Sequence, residues 1–397
     1  MIYIIIFILL LYLSYYYDIR GRKNGRDNWY YFFLVFFILF AGLRYRLGTD
    51  TQSYIYHFYH DIPTLDKLSS EELSIGSKPL WNILNSIVKT LGMRYFVVQL
   101  IEAAFVNVLV FKYIKKHSEH LFTCLFFYYL CMYTSLSMEV MKAAMSVVVT
   151  LYANDYFFQK KWIKASLLYI TAVLFHPQAI IILLLAPISM IVRFNRVSAI
   201  GILLVFISGS YFQTLFGDYF MFLELDESIG EKLEDLSESE NHLGQIHSLM
   251  FMLKTIFVYL IYAIICLYYQ RQRKNDKILL FEPFMIFYIG FLLLEINIYI
   301  CYRFALYYTI YFVLFMSDTF VGLSKQMRVK SRNGKMYLRA IVVVLPFIFI
   351  VGQHKVSRYF LYYPYASVIE RSVDNYREQR GIMARGYSWH MPNRDEY

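Results

Sequence analysis

The sequence predicts an all-α fold: a polytopic transmembrane bundle of about 12 spans (10–13) with an outward-facing polar cavity. Three observations carry that class. Hydrophobic residues make up 58% of the 397-residue chain and charged residues only 17%, where a soluble domain carries about a quarter charged, and the mean hydropathy is +0.44. Apolar runs of spanning length alternate with short basic loops. The 39 Tyr and 35 Phe suit helices that end at the headgroup layer, where amphipathic rings settle.

Taken in order, the apolar runs place spans near 2–17, 29–43, 94–111, 120–137, 140–158, 163–175, 177–192, 197–212, 249–269, 279–296, 300–318 and 340–352. The first run lacks the basic n-region and small-residue cleavage site of a signal peptide and reads as a retained span. The short pair around His176-Pro177 reads either as two spans or as one broken, re-entrant unit. Segment 79–92 is amphipathic and is expected to lie in the interface. Cys124, Cys131, Cys266 and Cys301 all fall inside apolar runs; their spacing fits no zinc pattern and no disulfide framework.

Lys and Arg set the orientation. With Arg20, Arg22, Lys23 and Arg26 placed in the cytoplasm, strict alternation brings every other short basic loop to the same side: 112–119, 159–162, 193–196, 270–278 and 322–339. The long acidic loop 213–248 then falls outside, as does loop 44–78. Residues 1–352 are expected to form one transmembrane domain, and 353–397 a mixed-charge external tail expected to be partly disordered. The net charge of +10 is absorbed by this topology, and no nucleic-acid partner is expected.

The unusual polar residues sort onto the outer face. Arg44, Arg46, Asp50, Tyr54 and His57 follow the second span; Glu139 and Lys142 begin the fifth; His176 sits between the sixth and seventh; Glu295 and Arg303 flank the start of the eleventh; Arg358, Tyr363 and Tyr365 follow the last. Charged groups inside a span cost several kcal/mol unless paired or hydrated, which makes each a functional candidate. Each also has a structural reading. Arg44 and Arg46 read as snorkelling anchors, Asp50 as a cap or turn former, His176 as a satisfied junction residue, and Arg303 as the ion-pair partner of Glu295. Lys142 reads equally as a lipid-headgroup contact, and the tyrosines as aromatic belt.

Together, arginines, a carboxylate and a histidine at one membrane face are the parts needed to handle a lipid-linked pyrophosphate. Guanidinium forks match phosphate oxygens and stabilise charge growing on a diphosphate leaving group. A carboxylate or imidazole deprotonates an attacking hydroxyl. The sequence contains no metal-binding or nucleotide-binding motif in a useful context, so no cofactor is expected and a metal-free mechanism fits best.

At four places the chain resembles the EpsG family, relatives of the Wzy-type polysaccharide polymerases. Arg44, Gly48, Thr49, Asp50 and Tyr54 are similar to the family's Arg-x(3)-Gly-Thr-Asp-x(3)-Tyr signature. Phe175-His176-Pro177-Gln178-Ala179 is similar to its Phe-His-x-x-Ala turn. Tyr302-Arg303-Phe304 with Tyr307, and Tyr363-Pro364-Tyr365, complete the set. The resemblance implies a polymerase of repeat units for capsule, exopolysaccharide or O-antigen. It would act at the outer face of the bacterial inner membrane on oligosaccharide linked to undecaprenyl pyrophosphate, alongside chain-length or export partners. It further implies Arg44 and Arg303 gripping pyrophosphate with Lys142 assisting, Asp50 or His176 as base, and weaker roles for Arg46, Tyr54 and Tyr365. Lys142 keeps the charge of the family's usual arginine but not its fork, and Lys78 stands where an acidic residue is common. A ligase-like glycosyltransferase or a flippase are the competing readings; a flippase needs polar groups along both halves of its path, and the inward halves of most spans read as apolar.

Overall fold

The computed structural model describes residues 2–48, 50–195, 260–297, 301–329 and 365–369, with parts of 197–204. The expected spans 197–212 and 340–352, loop 213–248 and most of the C-terminal tail lie outside the described residues. What is described is helical, as the apolar periodicity predicts. The elements are α1 (Ile2–Leu13), α2 (Arg26–Gly42), α3 (Thr51–Tyr56), α4 (Pro79–Thr90), α5 (Tyr95–His117), α6 (Leu121–Tyr128), α7 (Met141–Phe158), α8 (Trp162–Phe175), α9 (Ala179–Ser189), α10 (Ile261–Arg273), α11 (Asp276–Leu279), α12 (Glu282–Asn297) and α13 (Cys301–Val329). Wide π turns extend α1 through Ile19, α3 through Asp61, and α6 over Tyr129–Tyr133 and Ser135–Glu139.

Side-chain contacts fix the direction of each helix. Gly42 of α2 faces Leu100 of α5, while the Tyr30 hydroxyl donates to the Phe111 carbonyl at 2.7 Å, so α2 and α5 are antiparallel. Ser146 meets Ala172 and Phe157 meets Trp162, so α7 and α8 are antiparallel. Tyr307 meets Ser146 and Tyr311 meets Asn154, so α13 runs parallel to α7. The chain leaves α9 for Phe194, whose amide donates to Glu282 at the start of α12. The α8–α9 pair is therefore a hairpin with His176 at its turn.

The arrangement has two ends. One gathers the basic loops, with Lys115 near Asp27, Lys277 on Glu119 and Arg273 on Asp318. The other gathers Arg44, Lys142, His176 and Arg303. Along α13 the rise from Arg303 to Asp318 is about 22 Å.

Among the described residues, three helices are long and apolar enough to cross a membrane: Ile2–Ile19, Tyr95–His117 and Cys301–Gln326. Large apolar side chains stay exposed on the outer faces of α1 (Ile4, Ile5, Ile8), α2 (Val35, Leu39), α8 (Ile163, Leu167, Ile170) and α9 (Leu184, Ile188). A water-facing surface of that kind is untenable, whereas hydrocarbon accepts it because each helix satisfies its own backbone. The chain is a membrane protein. All four cysteines are free, and Cys124, Cys266 and Cys301 are buried. The amphipathic segment 79–92 forms α4, with Pro79 at the first helical position, where no N–H is needed.

The bundle interior is more polar than the sequence implies. Asn154 donates to the Tyr311 hydroxyl at 2.9 Å and accepts from Tyr169 at 2.6 Å. Asn107 donates to Ser137 at 3.1 Å and accepts from Tyr128 at 3.2 Å. The Tyr311 hydroxyl also meets Tyr113, which donates to Asp155 at 3.3 Å, so the Asn154 network runs on to the ion pairs of the basic end. These bonds satisfy the buried groups and interlock the helices.

Candidate active site

The site is built on a turn that follows α2. At Gly42 a side chain would come within 2.7–2.8 Å of Leu100, so its glycine permits the close α2–α5 crossing. The chain then runs extended as an antiparallel bridge to the segment after the last predicted span: the Tyr45 amide donates to Ala366 at 2.9 Å and the Val368 amide to Leu43 at 2.8 Å. Gly48 takes a positive φ of 98° against the Met138 carbonyl. Conformation and space both exclude a side chain there, which gives this glycine of the motif a physical reason. Thr51 closes the turn by donating to the Leu47 carbonyl, and α3 begins.

Arg44 is completely buried. Its Nη1 donates to the Ala41 carbonyl at 2.7 Å, and Nη2 lies 3.4 Å from the Met138 carbonyl and 3.2 Å from the Met141 sulfur. Its own carbonyl accepts from Gln99 at 3.1 Å. This guanidinium caps the end of α2 and joins it to the α6–α7 junction. Arg46, in a left-handed conformation (φ 50°), is also buried, with its guanidinium 5.6 Å from the Tyr45 ring. Tyr365 donates to the Phe40 carbonyl at 2.9 Å and stacks on the Phe40 ring at 4.4 Å and 12°. It clamps the returning segment onto α2.

Asp50 occupies the position before α3, and its side chain makes no capping bond there; its carbonyl accepts from the Tyr54 amide at 3.1 Å. One turn on, the Tyr54 ring lies 5.5 Å from Trp81 of α4. The Lys142 ammonium sits over both rings, 5.3 Å from Tyr54 and 5.9 Å from Trp81, in cation–π geometry. The Tyr54 hydroxyl lies against the Lys142 main-chain amide, within reach of the charges of Asp50, Glu102 and Arg303.

His176 stands where α8 stops. Its amide closes the last turn onto the Ala172 carbonyl at 2.9 Å; Pro177 follows, lacking the N–H needed to continue. The Nδ1 atom is buried and has no hydrogen-bond partner among the described residues. Lys78, Arg303 and Lys142, from three different elements, all lie close enough for their charges to act on this ring. The Ala172 carbonyl also accepts from Ser146 Oγ at 2.7 Å, which in turn lies 3.1 Å from the Tyr307 hydroxyl. One turn before Tyr307 is Arg303, whose Nε donates to the Tyr302 hydroxyl at 3.2 Å.

Of the residues expected from sequence, the structure thus brings Asp50, Tyr54, Lys142, His176 and Arg303 together. Arg44 supports them from below, and Tyr365 supports Arg44's loop. Two residues escaped the sequence reading. Lys78 was given no role, yet it caps α4 in a left-handed conformation (φ 61°) and supplies the first-ranked charge effect on His176. Glu102, one acidic residue within the apolar run of α5, is fully buried, and neither carboxyl oxygen has a hydrogen-bond partner among the described residues. Arg44 is the cation whose charge reaches it. A carboxyl this deep in an apolar helix is itself the signal that could have found it. Among the described residues, no three His, Cys, Asp or Glu side chains are placed to hold a metal ion.

The family model described as "EpsG family" matches residues 27–367, from the start of α2 to the segment paired with Leu43–Tyr45. No curated protein and no solved structure matches the chain.

Proposed function

The chain belongs to the EpsG family, and we propose that it polymerises lipid-linked oligosaccharide repeat units at the outer face of the bacterial inner membrane. The family supports a glycosyltransferase-like role in polysaccharide biosynthesis. The observation that carries the finer reading is the convergence of Lys78, Lys142 and Arg303 on His176, next to Asp50 and Tyr54. Three cations on three helices match two linked phosphates, and an imidazole among them is poised for proton transfer.

In this reading the growing chain is the donor, held as a glycosyl diphosphate of undecaprenol by Arg303 and Lys142. A hydroxyl of the next lipid-linked unit attacks the donor's anomeric carbon. A new C–O bond forms, the C–O bond to the diphosphate breaks, and the electron pair leaves on a diphosphate oxygen, whose charge the cations stabilise without a metal ion. The hydroxyl proton passes to His176 or Asp50. Burial first, and then the neighbouring positive charge, favours the neutral, proton-accepting form of His176, and its Nδ1 has no hydrogen-bond partner among the described residues. Arg44 we place as the residue that fixes the Leu43–Asp50 turn, and Tyr54 and Trp81 as the aromatic rest for Lys142 and a sugar face. The outward cavity and the dozen spans belong to this same reading.

The competing reading from the sequence, a flippase, would carry the same lipid-linked unit across the membrane. A deletion strain tests the choice. Accumulation of single lipid-linked repeat units on the outer leaflet is the expected result; accumulation on the inner leaflet would identify a flippase and overturn the polymerase.

A further inference from the structure

At the end opposite the candidate site, the 117–120 turn, the α10–α11 junction and the far half of α13 enclose a cavity of about 460 Å³. Its frame is held by ion pairs. Lys277 bonds Glu119 at 2.9 Å, and that bond holds the Glu119 carboxyl below its ordinary value. Arg273 lies 3.3 Å and His120 3.5 Å from Asp318. Gly322 has no side chain to collide with Tyr269 and Arg273, so α13 closes tightly onto α10 and presents Arg273 at the wall.

With those pairs made, two ammonium groups of the lining remain. Lys274, turned outward by a left-handed backbone (φ 53°), and Lys325 are both exposed and make no bond or ion pair among the described residues. Asp276 is the lining carboxylate without an ion pair among the described residues, so the cavity keeps a surplus of positive charge.

The depth of the cavity is marked independently. Trp29 and Tyr31 at the start of α2, Trp162 at the start of α8 and Tyr268 near the end of α10 are all exposed at this end. Tryptophan and tyrosine left facing outward at one level of a bundle mark the headgroup layer. Basic pockets between membrane helices at that layer hold anionic headgroups.

We propose that this cavity is a second binding site, taking a phosphate-bearing anion at headgroup depth through Lys274 and Lys325, with the phosphodiester of an anionic phospholipid as its natural source. It is separate from the polymerisation chemistry and does not depend on it.

The test is native mass spectrometry of the full chain released from nanodiscs of mixed phosphatidylglycerol and phosphatidylcholine. The wild type is expected to retain phosphatidylglycerol preferentially. The Lys274→Gln/Lys325→Gln pair should lower that preference about tenfold, while Lys160→Gln/Lys161→Gln, at the same end but outside the cavity, should leave it unchanged. Inorganic phosphate added to lipid-free micelles separates the sources. A thermal shift that disappears in the cavity pair, with no lipid preference in the wild type, assigns the site to soluble phosphate. Equal loss of lipid preference in both pairs would reduce the effect to general surface charge and overturn the proposal, as would no lipid preference and no phosphate shift in the wild type.

Discussion

At the basic end of the bundle, Asp155 meets Lys116 at 2.5 Å and His117 at 2.7 Å, Asp318 meets Arg273 at 3.3 Å, and Glu282 meets Arg271 at 2.5 Å. At the opposite end, His176 Nδ1, Arg44 Nε and both oxygens of Glu102 are buried without a hydrogen bond among the described residues. Residues of the same types serve two purposes. Where carboxylates and cations close on each other, they join loops and hold helices in register. Where buried polar atoms stay open and cations face an imidazole, stability gains little, because an unmet buried polar group costs about 1–3 kcal/mol. Such an arrangement fits selection for chemistry better than selection for folding.

Mutating one residue at each end tests that contrast most strongly. Arg303→Ala should reduce polymer per folded molecule by about 100-fold or more, the scale of losing one donor to a developing anion, with melting temperature nearly unchanged. Asp155→Asn should do the reverse: a loss of about 2 kcal/mol of stability, read by thermal unfolding in detergent, with polymer per folded molecule retained. Matching losses in both assays for both variants would erase the distinction between the ends.

A smaller effect is expected at the turn that links the two purposes. Gly48→Ala forces a methyl group into the Met138 carbonyl at a positive φ, which should cost about 2 kcal/mol. Because the turn carries Asp50, polymer should fall further than the drop in folded protein explains. The smallest change is Tyr365→Phe, which removes the bond to Phe40 at 2.9 Å but keeps the stack at 4.4 Å. It should lower stability by about 1 kcal/mol, with polymer output within threefold of wild type. A large drop in output without a drop in stability would return Tyr365 to direct substrate contact.

Much of this was legible in the sequence, because lipid imposes a simple grammar. Among the described residues, apolar runs became helices, the basic loops 18–28, 112–119 and 270–278 met at one end, and Pro177 ended α8 where expected. The motif glycine and aspartate fell in one turn. What stayed hidden depends on distant parts of the chain. Tyr365 finds Phe40 across 325 positions, and no local pattern encodes that pairing. The contacts of Arg44 were not legible either, because its engagement by Ala41 and Met138 follows from how closely the α6–α7 junction approaches Gly48. Glu102 was diluted by the 23-residue helix around it. Lys78 seemed idle because its place beside His176 depends on α4 packing against α8.

The hydrogen bonds from Tyr307 to Ser146 and from Ser146 to Ala172 tie three helices together directly beneath the histidine. Arg303, Lys142 and His176 are therefore mounted on a common chassis. The facing wall is the short arm of residues 51–61 and α4, whose Tyr54 and Trp81 rings lie under the Lys142 ammonium. Lys89 bolts these into one piece by donating to the carbonyls of Phe58, Tyr59 and Ile62. The site is thus assembled from two separately braced blocks, and its geometry depends on how the two meet.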